Sequence, residues 1–85
     1  MAVAIAVRVR FFARLRELAG TETEDLKAAV SASVADVYAA MRGNHPSLPE
    51  QSGVRAALNH EFVEWDHEVG DGDEIAFIPP VSGGA

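Results

Sequence analysis

Cysteine is absent from the 85-residue sequence, and cations are scarce: 7 Lys and Arg stand against 13 Asp and Glu, for a formal net charge of −6. Without cysteine there is neither a disulfide nor a thiolate zinc site to staple the fold, so an ordinary apolar core has to hold it. A domain this short buries only about 60% of its unfolded surface, which leaves a thin stability margin. The shortage of clustered Lys and Arg argues against nucleic-acid binding, which rewards such clusters. No apolar run approaches the ~20 residues that span a bilayer. The opening MAVAIAVRVR has its charges after the apolar stretch and no cleavage site, unlike a signal peptide. The expectation is a soluble, cytoplasmic protein with no membrane or nucleic-acid partner, whose acidity suits a basic protein partner.

What is present divides readily into elements. Val3, Ile5, Val7, Val9 and Phe11 alternate with Ala4, Ala6, Arg8 and Arg10, a period of two that predicts a half-buried strand. RLRELAG (14–20) predicts a short helical turn stopped by Gly20. TETEDLKAAV (21–30) is ambiguous, because its composition favours a helix while Leu26, Ala28 and Val30 alternate as in a strand. Ser33 with Asp36 forms a capping-box pattern, and Val34, Val37, Tyr38 and Met41 make one helical stripe. Gly43 is expected as the left-handed stop of that helix, with Pro46 beyond it. Val54–Leu58 and Phe62–Trp65 predict strands, and GDGD (70–73) a turn. Ile75–Ile78 is continuously apolar, as in a central strand buried on both faces, and Pro79 and Pro80 end it. The order predicts an α+β roll, one main helix packed on one face of a small mixed sheet. Residues 1–80 form the single domain and 81–85 a flexible tail.

Few residues invite chemistry. His60, Asp66 and His67 lack the spacing that converges metal ligands, so no metal site is expected. Asp71, Asp73 and Glu74 supply only a fragment of a calcium loop and read as turn formers. No nucleophile elbow or phosphate-binding glycine loop occurs, and nothing marks the chain as a catalyst on its own. The segment PVSGGA (80–85) remains, and its composition alone also fits a frayed terminus without function. Two residues without Cβ give the thinnest and most adaptable tip a chain can have, and the prolines stiffen its base. Such a tip suits threading into another enzyme, where ATP converts a poor carboxylate electrophile into an acyl-adenylate.

VRVRFFARLRELAG, AALNHEFVEWDHEVGDGDE (with an Asn after the third strand) and DGDEIAFIPPVSGG together resemble the MoaD-type family, the small sulfur-carrier subunits of molybdopterin synthase. The resemblance covers nearly the whole chain. It implies a β-grasp, ubiquitin-like fold, and it makes the ambiguous 21–30 stretch the second strand of a hairpin. It further implies that an E1-like enzyme adenylates the terminal glycine using ATP, with no cofactor bound by this chain. The glycine then becomes a thiocarboxylate and enters the large synthase subunit, in a heterotetramer, to donate sulfur for the dithiolene of the molybdenum cofactor. Carried over, Gly84 is the acyl and thiocarboxylate carrier and Gly83 the threading residue. Phe12, Phe77, Ile78, Val81 and Ser82 are candidates for partner contact at and along the tail, with core packing the alternative for Phe77. Ala85 departs from the family ending. While it is attached Gly84 has no free carboxylate, so its removal by a peptidase is expected. The same tail chemistry also serves thiamine, cysteine or tRNA thiolation. A ubiquitin-like modifier and a plain β-grasp binding module are the other readings.

Overall fold

The computed structural model describes residues 4–79. Strand β1 (Ala4–Phe11) leads into helix α1 (Ala13–Ala19), strand β2 (Thr23–Ala29) and helix α2 (Val34–Asn44). A 3₁₀ turn (Gln51–Gly53) precedes strands β3 (Arg55–Leu58), β4 (Glu61–Val63) and β5 (Glu74–Ile78). The five strands make one sheet in the order β2-β1-β5-β3-β4. Its central pair, β1 with β5, is parallel, and the other neighbours are antiparallel. This is the mixed sheet and ubiquitin-like roll expected, with α1 as a second, shorter helix.

The alternation in β1 sends Val7, Val9 and Phe11 into the core, each at most 2% exposed. Ile75 and Phe77 join them from β5, and Val34, Val37, Tyr38 and Met41 pack down from α2. The helix begins where the sequence signals it. Ser33 Oγ accepts from the Asp36 N–H, and Asp36 in turn accepts from the Ser33 N–H, which satisfies donors the helix itself cannot. Gly20 adopts φ 76 as the left-handed cap of α1.

Stretch 21–30 holds β2, the second strand of the hairpin as the resemblance implies, so pairing with β1 overrides its helix propensity. Two expectations need correction. Gly43 is not a left-handed stop but lies inside α2, which ends at Asn44 with His45 as cap, its N–H donating to the Met41 carbonyl. The sheet's central strand β5 is indeed in the middle, but it is buried on one face only. Ile75 and Phe77 are fully buried, whereas Ala76 and Ile78 lie half-buried on the face away from α2.

Asn59 explains itself in this frame. Asn59 and His60 form the β3–β4 turn with φ 49 and 77, both left-handed, a conformation that Asn tolerates better than most residues. The Asn59 amide donates to Asp73 Oδ1 and its oxygen accepts from the Glu74 N–H, tying this hairpin to the start of β5.

Candidate functional site

The end of β5 is the natural place to look, since the GG segment follows it by a few residues. Gly83, Gly84, Val81, Ser82 and Ala85 lie outside the described residues, so the structure speaks to the base from which they emerge. Around that base the open face of the sheet is apolar. Register sets one row across the strands as Arg10, Ala76, Ala57 and Phe62. A second row begins with Ile78 opposite Arg55. Phe12 stands beside Ile78, because its N–H continues the β1–β5 ladder by donating to the Phe77 carbonyl at 3.3 Å.

The two alanines make a low floor between larger side chains. Phe62 is 59% exposed and Phe12 38%, two of the three large apolar side chains most open to solvent among the described residues. They border a shallow cavity of about 220 Å³. Each ring carries a guanidinium: Arg10 lies 5.2 Å from the Phe12 centroid and Arg55 4.3 Å from that of Phe62. Such stacking covers part of an exposed ring and holds it in place. Arg10 is also bonded to Glu74 at 3.2 Å, while its Nε is buried without a hydrogen-bond partner. The result is an apolar patch flanked by two guanidiniums, of which that of Arg10 is paired with Glu74 and Glu22.

Phe77, a candidate contact residue from the sequence, is not on this surface. It is 0% exposed and packs against Tyr38 at 4.7 Å and, stacked, against Trp65 at 6.0 Å between centroids. Core packing is therefore its role, and its position anchors β5 directly below the patch. Ile78 and Phe12 are at the surface as expected. Phe62, Ala57, Ala76, Arg10 and Arg55 were not singled out from the sequence. Phe62 had a signal, because the period of two in EFVEW puts it on the opposite face from Val63 and Trp65. His67 and Asp66 are exposed, and among the described residues no three His, Asp or Glu side chains are placed to hold a metal ion. No helix of the described residues is long and apolar enough to cross a membrane.

Comparison with known proteins adds four findings. The model of the ThiS family matches residues 9–84. The molybdopterin synthase sulfur carrier subunit of Escherichia coli is 38% identical over 80 residues, spanning 92% of this chain and 99% of that protein. Among solved structures, SAMP1 from Haloferax volcanii superposes with a TM-score of 0.82 at 31% identity, over 93% of this chain and 99% of the other. A complex of subunits 1 and 2 of the molybdopterin-converting factor from Helicobacter pylori has a matching chain at TM-score 0.69 and 26% identity, over 94% of this chain and 100% of the other.

Proposed function

The chain belongs to the ThiS family and has the ubiquitin-like fold of its sulfur carriers, and on that premise we propose that it is the sulfur-carrying small subunit of a molybdopterin synthase, with Gly84 as the carrier. The observation that carries the reading is the apolar patch of Phe12, Phe62 and Ile78 at the root of the Gly-Gly segment. A surface of this kind holds a partner protein while the tip beyond it reaches the partner's active site.

The chemistry assigned to the tip proceeds in balanced steps. Hydrolysis of the Gly84–Ala85 peptide bond frees the Gly84 carboxylate. A carboxylate oxygen attacks the α-phosphorus of ATP on an E1-like enzyme, and pyrophosphate leaves. Hydrosulfide, delivered by a sulfur donor, then attacks the carbonyl carbon and AMP leaves, giving the thiocarboxylate. Gly83 and Gly84 contribute the absence of Cβ, so that the tip fits a channel which a side chain would block. Likeness to a chain of the complex of subunits 1 and 2 from Helicobacter pylori supports a large-subunit partner, and a heterotetramer is the assembly proposed for the pair.

The test uses the chain ending at Gly84, incubated with the E1-like enzyme, ATP and a sulfur donor, and read by intact mass. The reading predicts exchange of one oxygen for sulfur, with the chain that retains Ala85 unchanged. Conjugates to target lysines would instead favour a protein modifier. The Gly84-ended chain left at its original mass would remove the tail chemistry altogether.

A further inference from the structure

Among the described residues, the edge of the sheet farthest from β4 is open. Among the described residues β2 pairs only with β1. The Phe11 N–H donates to the Glu22 carbonyl at 2.9 Å, which fixes the phase of the ladder. Glu24, Leu26 and Ala28 therefore turn their backbone groups toward β1, and Asp25 and Lys27 turn theirs outward. An edge of this kind is a template for another strand unless something prevents pairing.

We propose that this edge binds a second copy of the chain: two β2 strands pair antiparallel about a two-fold axis at Leu26, giving one continuous ten-stranded sheet. The chain's own charges select the occupant and the register. With the axis at Leu26, Asp25 faces Lys27 of the other copy twice, opposite charges directly across on the open face of the sheet. Both members of each pair have outward backbone groups, so each pair exchanges two hydrogen bonds. Moving the axis to Asp25 or to Lys27 sets like charges opposite each other, and a one-residue slip mismatches the ladder and turns side chains to the wrong face. Of the in-phase registers centred at Asp25, Leu26 and Lys27, the one at Leu26 sets opposite charges across the seam. Among the described residues Lys27 is in no ion pair, while Asp25 pairs with Arg8 at 3.0 Å and has further capacity as an acceptor.

The other face of β2 fits the same arrangement. A groove of about 370 Å³ runs between β2 and α2, lined by Leu26, Ala28, Val37 and Ala40, with Val30 53% exposed at its end. Pairing brings Leu26 against Leu26 of the second copy over this groove, so the apolar walls of both copies adjoin. It leaves Phe12, Phe62 and Ile78 uncovered, because the two open faces stay on the same side of the joined sheet.

Sedimentation velocity of the full chain from micromolar to millimolar concentration tests this, with circular dichroism confirming that each variant is folded. The wild-type chain is expected to dimerise reversibly and Lys27→Glu to remain monomeric. Adding Asp25→Lys to Lys27→Glu is expected to restore the dimer, since opposite charges again face each other. The lack of native cysteine permits a second readout. At the axis the two Cα atoms lie about 4.5 Å apart, near the short end of the disulfide range. Leu26→Cys should therefore cross-link to itself under a glutathione redox buffer, and Glu24→Cys should not. A wild-type monomer at every concentration would overturn the proposal. So would a dimer indifferent to Lys27→Glu but lost with Phe62→Ala, which would pair through the open face instead.

Discussion

Phe62 and Phe77 are both strand aromatics of this small chain, and burial gives them opposite work. Phe77 is enclosed by Phe11, Tyr38 and Trp65. Replacing it with Ala should cost about 3–5 kcal/mol of stability, because the cavity cannot close around a missing ring. Denaturant unfolding would show this as a lower midpoint. Phe62 contributes its surface outward, so Phe62→Asp should leave the unfolding midpoint close to wild type. The same change should weaken binding of the large synthase subunit by about 2 kcal/mol or more, roughly thirtyfold in Kd, as for a central aromatic contact. Isothermal titration of the two purified subunits measures it. Tyr38 offers a pH test. Its hydroxyl donates to the Pro49 carbonyl at 2.7 Å, and burial raises its pKa above the ordinary 10.0, with Arg42 opposing weakly. The fold thus favours the neutral phenol. That stabilisation is complete below the unfolded-state pKa and is lost as pH rises through the higher folded-state value. Tyr38→Phe should cost about 1 kcal/mol at neutral pH and flatten the fall in stability above pH ~10.

Among the elements, two glycines separate a cap from a passenger. Gly20 has φ 76 with open space where a Cβ would stand, so Gly20→Ala meets only backbone strain and should cost about 1 kcal/mol. Gly43 lies in the last turns of α2, also with open space around it, and Gly43→Ala should stabilise the protein by up to about 1 kcal/mol. Paired thermal unfolding curves decide both, and a destabilised Gly43→Ala would contradict its helical assignment. Both glycines look alike in sequence, each following a helical stripe. What separates them is that α2 continues one residue further and is ended by the turn into Pro46. Elements set by local rules were legible: the alternation of β1, and the Ser33–Asp36 box with its stripe. Strand β2 was not, because only its partner β1 makes residues 23–29 a strand, and the family resemblance supplied what propensity withheld. The continuous apolar run of β5 was misread in an instructive way. Ile75 and Phe77 are apolar because they are core, whereas Ala76 and Ile78 are apolar and half-exposed because they form the patch. Phe62 and Ala57 join that patch through strand pairing far apart in sequence, which no local pattern reveals.

At the scale of the whole molecule, the parallel β1–β5 pair brings Phe12 and Ile78 together beside the exit of the chain, with Pro79 as the last described residue. On the proposed reading, a partner that holds this surface also stands at the point from which the Gly-Gly segment continues. At the rim of the surface Arg55 stacks on Phe62, and Arg10 stacks on Phe12 while paired with Glu22 and Glu74. The most direct measurement of the account uses the chain ending in a Gly84 thiocarboxylate, mixed with the large synthase subunit and the cyclic pyranopterin precursor in a single turnover. Intact mass follows the small chain while the pterin product is identified in parallel. The account predicts return of Gly84 to a carboxylate as dithiolene sulfur appears in the pterin, with Phe62→Asp slowing both together. A thiocarboxylate that persists beside a competent large subunit and its substrate would contradict it.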